Sequence, residues 1–216
     1  MLKQPFQSIK NIVFDIGDVL VDIDYNLTIA EFQKLAIVDF STIVSYAKQE
    51  RIFDLFEKGK ISAQEFRDGL KKYLKSEVTD AQINAAWNSI LIAYPKEKFE
   101  LLLALKKQYR IFALSNINEI HVESINQAAQ KLLGAEKFAD FFHKAYYSNE
   151  TGFRKPETEI YELVLQEQFL QPNETLFIDD KAENIEAAAR LGIQTIHLTN
   201  RNELLNLFET QQKPNF

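Results

Sequence analysis

The feature that most restricts the fold is a change of rhythm near residue 95. Beyond Pro95, short apolar runs alternate with amphipathic stretches of helical period. "KEKFELLLALKKQ" precedes the run "RIFALS" (110–115), and a helix through "INQAAQKLLG" precedes "KAYYS" (144–148). "KPETEIYELVLQEQF" precedes "ETLFID" (174–179), and "AENIEAAARLG" precedes "QTIHLT" (194–199), with "RNELLNLF" as a last helix. Strands that alternate with helices build a mostly parallel sheet covered on both faces. "NIVFD" (11–15) is a further buried strand by the same test. Between it and the alternating region, residues 26–92 read as wholly helical. "NLTIAEFQKLAIV", "STIVSYAKQERIFDLFEKG" and "TDAQINAAWNSIL" carry apolar residues at three- and four-residue spacing. "SAQE" at 62–65 has the form of a capping box.

The expected chain is therefore α/β, a Rossmann-like parallel five-stranded sheet flanked by helices. Residues 1–20 and 95–216 form its core, and residues 21–94 are a helical domain inserted after the first strand. Gly134 and Gly192 are placed to close helices. Pro156 is expected in the first turn of its helix.

Several function classes fall away on composition. No cysteine is present, which excludes disulfides, zinc–thiolate sites and cysteine nucleophiles. The formal net charge is −6 without a dense Lys/Arg run, so phosphate-neutralising nucleic-acid binding is not expected. No apolar run approaches the roughly 18 residues of a membrane span, and "MLKQPFQSIK" lacks the apolar core of a signal peptide. The expectation is a cytoplasmic protein acting on a small molecule, as a monomer or homodimer. Against this negative field an anionic substrate needs a local cluster of positive charge or a metal.

Ligands of open α/β sheets bind beyond the carboxyl ends of the strands. Those ends carry Asp15, Ser115–Asn116 and Asp179–Asp180, and the loop after the third strand carries Arg154–Lys155–Pro156. Singly, each has an ordinary role as turn, cap or surface residue. Together they bring three carboxylates, a hydroxyl and cations to one edge. Clustered carboxylates without cysteine or paired histidines form a hard oxygen site suited to Mg²⁺. Such a site can shield an aspartate nucleophile from an anionic phosphoryl group, with donors such as Ser115, an N–H near Asn116 and Lys155 around the transferred group. His121, His143 and His197 show no metal-ligand spacing and read as structural or surface residues. Tyr25, Asn26, Trp87 and Tyr94 lie where an inserted domain can meet substrate, with the core the stronger reading for Trp87.

"FDIGDVL", "LSN", "RKP" and "FIDDKAEN", in that order, resemble the four motifs of the haloacid dehalogenase-like hydrolase superfamily. The helical insert resembles that family's C1 cap. "FDIGDVLVDIDYN" is similar to the branch that acts on α-D-glucose 1-phosphate and, more distantly, to the phosphatase domain of soluble epoxide hydrolases. The resemblance implies strand order 5-4-1-2-3 and an Mg²⁺-dependent phosphatase for a small phosphorylated metabolite, a sugar phosphate such as a hexose 1-phosphate. It makes Asp15 nucleophile and metal ligand, and Gly17 a carbonyl ligand. Ser115 and Asn116 hold the phosphoryl group, and Lys155 neutralises nucleophile and phosphate. Asp180 is a direct ligand, and Asp179 a direct or water-bridged one. Gly17 and Asp18 also border the phosphoryl group.

Gly17 departs from the pattern, since most family phosphatases carry a second aspartate there as general acid–base. Its absence implies a good leaving group such as an anomeric sugar phosphate, a substitute among Asp18, Asp22 and Asp24, or a weak phosphate-binding homologue. A dehalogenase, which also lacks that acid, is the remaining alternative. The Asp179–Asp180 pair opposes it by repelling a carboxylate substrate.

Overall fold

The computed structural model describes residues 8–39 and 51–208. The chain enters through β1 (Asn11–Phe14) and turns sharply into β2 (Asp22–Ile23). It then forms α1 (Tyr25–Leu35), α2 (Ile52–Glu57), α3 (Ala63–Lys71) and α4 (Asp80–Asn88), and leaves this block through β3 (Leu91–Ala93). Alternation follows: α5 (Lys96–Leu105), β4 (Arg110–Ser115), α6 (Glu119–Leu133), β5 (Lys144–Tyr147), the single turn α7 (Ser148–Thr151), α8 (Thr158–Glu167), β6 (Thr175–Asp179), α9 (Ala182–Arg190) and β7 (Gln194–His197).

The five long strands form one sheet in the order β5-β4-β1-β6-β7, and every pairing is parallel. Counted along the chain and read from the far edge, this is the expected 5-4-1-2-3. β1 lies at the centre, with Phe14 level with Ala113 on one side and Ile178 on the other. Alternate side chains of β1 serve opposite faces. Ile12 and Phe14 join Phe99, Leu102 and Phe138 in one buried cluster. Val13 joins Phe112, Tyr146, Tyr161 and Phe177 in the other. With both faces filled by apolar side chains, the polar residues of the three central strands, β4, β1 and β6, are confined to strand ends.

The inserted helices have a core of their own, with Phe32, Phe56, Phe66, Leu70 and Ile83 buried together and Ile120 of α6 completing it. Sequence signals for these helices are met locally. Ser62 and Glu65 cap α3 reciprocally, and Thr79 and Gln82 cap α4 in the same way. Gly134 ends α6 at φ 69° and Gly192 follows α9 at φ 80°, both left-handed positions that favour glycine.

Four local expectations are corrected. The insert is not wholly helical, because Asp22–Ile23 and Leu91–Ala93 pair antiparallel at its root; three apolar residues give too little periodicity to read. Pro156 lies in a loop ahead of α8, which starts at Thr158, because Lys155 is still directed at the sheet edge. Ser148 begins a helical turn instead of ending β5. "RNELLNLF" forms a 3₁₀ helix, Arg201–Leu207. The helical reading of "STIVSYAKQE" falls on residues outside those described. Among the described residues, no helix is long and apolar enough to cross a membrane.

Candidate active site

β1 ends as the chain turns at Asp15, whose N–H donates to the Ile178 carbonyl at 2.9 Å and so continues the sheet by one residue. Asp179 ends the neighbouring β6 and Ser115 ends β4. One carboxylate oxygen from each of Asp15, Asp179 and Asp180 lies within 4.8 Å of the others. Lys155 reaches in from the loop between α7 and α8. Its Nζ stands 2.7 Å from Asp15 Oδ1 and 2.6 Å from Asp179 Oδ2, with only 2% of its side chain exposed. Burial opposes charge on Lys155, but the two flanking carboxylates outweigh it and hold its pKa above the usual lysine value. Asp15 is pushed upward by burial, against the pull of Lys155 and with the help of Asp179. Asp180 is pushed up to about 6, by burial first and then by Asp15 and Asp179.

The three acids are not equivalent. Asp179 is fully buried and well supplied with donors: Lys181 N–H at 2.8 Å and Asn184 Nδ2 at 2.9 Å meet Oδ1, and Lys155 meets Oδ2. Asp180 is half-buried and faces the cleft. Asn184, also in the cleft wall, has a buried Oδ1 with no partner among the described residues. Three clustered carboxylates and an orphaned amide oxygen are the hard donors that suit Mg²⁺ or its bound water, so the residues present fit such an ion.

Asn116 lies in the cleft lining beside Ser115, and its side-chain amide has a separate task. Its side-chain oxygen accepts from the Lys155 N–H and its Nδ2 donates to the Lys155 carbonyl, both at 2.8 Å. The amide is thereby committed to fixing the lysine loop.

Asp18 is not brought to the site. It sits at φ 51°, a left-handed position that Asp tolerates better than most residues. Its Oδ1 accepts from the Ile23 N–H and pairs with Arg201 Nη1 at 2.8 Å. Asp22 pairs with the buried Lys98 at 3.0 Å, and Asp24 caps α1 through the Asn26 N–H. All three candidate substitutes for the missing acid are thus engaged in holding the turn and the insert's root.

Over the acids lies a cleft of about 350 Å³ between sheet edge and insert. Its far wall is apolar, with Ile29, Phe53, Trp87, Ile90 and Leu91. Trp87 is both core and wall, stacked on Phe53 and on His121. Neither Asn26 nor Tyr94 lines the cleft; Tyr94 bonds Ser124 instead. His121 does line it, but burial holds its pKa down to about 4. Nε2 donates to the Trp87 carbonyl at 3.1 Å, and Nδ1 accepts from Asn118. It is a neutral strut, as expected of a structural histidine. Sequence reading missed Asn184, Glu57 and Lys181 as cleft residues; of these only Asn184 had a usable signal, its fixed distance from the paired acids.

Residues 9–192 match the family described as haloacid dehalogenase-like hydrolase. The chain belongs to that family. A haloacid dehalogenase-like hydrolase of Bacteroides thetaiotaomicron, solved in complex with magnesium and inorganic phosphate, has the same fold at TM-score 0.80 and 39% identity, over 87% of this chain and 93% of that one. Among curated relatives, a D-ribitol-5-phosphate phosphatase of the same organism is 35% identical over 192 residues, 89% of this chain and 93% of the relative. A sesquiterpene phosphatase of Aspergillus oryzae is 27% identical over 191 residues, 88% and 90% of the two chains. This chain is accordingly a hydrolase of the same superfamily, as the four ordered motifs imply.

Proposed function

We propose that this hydrolase is a Mg²⁺-dependent phosphatase acting on a small phosphorylated sugar or sugar alcohol, hexose 1-phosphates among the candidates. The observation that carries the reading is Lys155 seated between Asp15 and Asp179, with the half-buried Asp180 facing the same cleft. A buried ammonium, a nucleophilic carboxylate and a hard-oxygen donor set fit a dianionic phosphoryl group better than a carbon–halogen bond. The similarity to a phosphate-bound and magnesium-bound relative supports the same choice.

Asp15, Asp180 and the Gly17 carbonyl would hold the ion, with Asp179 and Asn184 behind them. The ion supplies charge neutralisation of the phosphoryl oxygens when bound. Asp15 attacks phosphorus in line and carries the phosphoryl group as an acyl phosphate until water releases it. Lys155 fixes the Asp15 carboxylate and offsets the phosphoryl charge, and the Ser115 hydroxyl donates to a phosphoryl oxygen. The insert, residues 21–94, acts as the cap that excludes water. Without an acid at position 17, the alcohol must leave with little protonation, which favours anomeric phosphates.

The relatives' names span a sugar alcohol phosphate and a sesquiterpene, so membership of the family leaves the alcohol open. A screen of phosphorylated metabolites with and without Mg²⁺ tests the reading. Magnesium-dependent release of phosphate from sugar or polyol phosphates is expected. Metal-independent release of halide from haloacids, with no phosphate release, would overturn it.

A further inference from the structure

We infer that Glu57, the last residue of α2, is the specificity-determining residue for the alcohol part of the substrate. It accepts hydrogen bonds from hydroxyl groups and so selects polyhydroxylated phosphate esters over apolar ones. This deepens the phosphatase reading and rests on it.

The cleft is larger than a phosphoryl group needs, and the space beyond the acids is walled by apolar residues of the insert. Among the described residues, polar groups in that part of the wall are few, and most are already committed. The Thr28 hydroxyl lies 3.4 Å from both the Trp87 carbonyl and Ser89 Oγ. Both His121 nitrogens are bonded. The Trp87 indole N–H is sealed from the accessible surface. Lys181 lies against Tyr25, with Nζ 3.4 Å from the phenol oxygen and 5.8 Å from the ring centroid.

Glu57 remains. Its side chain is 26% exposed and borders the cleft. Oε2 is held 3.1 Å from Arg154 Nη2, while among the described residues nothing donates to Oε1. The Glu57 carbonyl is also fixed, accepting from Ser148 Oγ at 2.5 Å. A carboxylate held at one oxygen and open at the other presents an acceptor beside the apolar wall of the cleft, where a ligand hydroxyl can meet it. Burial accordingly pushes its pKa up, against the pull of Arg154 and Lys181. Arg154 precedes the site lysine, so the loop that presents Lys155 to the phosphoryl group also aims Glu57 at the alcohol. An alcohol bearing hydroxyls satisfies Oε1, whereas an alkyl chain leaves it unpaired, and that difference is the source of selectivity.

Asp54 provides the control. It shares Arg154 with Glu57, at 3.1 Å from Nη1, but does not line the cleft. The test compares kcat/KM of the full chain with Mg²⁺ on D-ribitol 5-phosphate and on n-pentyl phosphate, the same carbon chain without the hydroxyls. Wild type is expected to prefer the polyol ester by at least about 10-fold. Glu57→Leu, which removes both carboxylate oxygens, should lose about 10- to 100-fold on the polyol ester, the worth of a hydrogen bond to a charged group, with n-pentyl phosphate not reduced. Asp54→Asn should change both substrates by one common factor. Equal losses for Glu57→Leu on both esters, no loss at all on the polyol ester, a wild-type preference for the pentyl ester, or the same selective loss in Asp54→Asn would each overturn the assignment alone. If neither ester nor any other phosphomonoester is hydrolysed, the phosphatase reading itself is overturned and the assignment falls with it.

Discussion

Lys155→Met probes the buried charge cluster directly. Methionine keeps most of the stem's volume and removes only the ammonium, so the packing term is small. The electrostatic term is large. Nζ lies 2.7 Å from Asp15 and 2.6 Å from Asp179, and both acids are buried. Removing one member of a buried ionic cluster strands the others, at about 3–5 kcal/mol. For a chain of 216 residues, each kcal/mol shifts Tm by roughly 2–4 °C, so the variant should melt about 6–20 °C below wild type. The assay is thermal unfolding by circular dichroism at neutral pH in EDTA. Millimolar Mg²⁺ should recover part of the loss, because a cation that binds only the folded state stabilises it by mass action. A Tm within about 2 °C of wild type in EDTA, with no response to Mg²⁺, would refute the assignment of Lys155 as counter-ion to the two acids.

Three further outcomes are expected. Asp180 has its pKa raised from 3.8 to about 6 by burial and its acidic neighbours, so its contribution to stability is full below about pH 4 and is lost as pH rises through about 6; Mg²⁺ should therefore raise Tm more at pH 7 than at pH 5, and equal shifts would contradict this. Gly17→Asp should be tolerated, since the new Cβ would lie 3.1 Å from the flexible Cδ1 of Ile23; it should speed esters of poor leaving alcohols, toward the 10²–10⁴-fold of a general acid, and leave anomeric phosphates little changed. No change with any ester would mean that another acid already serves. Ser62→Ala removes one half of the α3 capping box and should cost about 1 kcal/mol in denaturant unfolding, with kcat unaltered.

Much of the fold was readable because the physics was local. The two faces of β1 are filled by successive residues of one apolar run, and Ser62, Gly134 and Gly192 act within their own turns. The site was readable for a related reason: a sheet buried on both faces leaves only strand ends for polar chemistry, and Asp15, Ser115 and Asp179 are those ends. What escaped depends on contacts between distant segments. Asp18 carries no mark in sequence that Arg201, far along the chain, will claim it. Asn116 sits beside Ser115 in sequence, yet its amide is spent on Lys155. Glu57 belongs to an amphipathic helix like any surface acid, and only the packing of the insert over the sheet turns it toward the cleft.

The covalent role of Asp15 is the claim on which the rest depends. It is tested most directly by acid-quenching the enzyme during turnover of a sugar or polyol phosphate with Mg²⁺ and mapping the protein by mass spectrometry. One phosphoryl group on the peptide bearing Asp15, absent when Mg²⁺ is withheld and absent in Asp15→Asn, is the expected result. Steady phosphate release by Asp15→Asn at the wild-type rate, with no phosphoryl group on the protein, would contradict it.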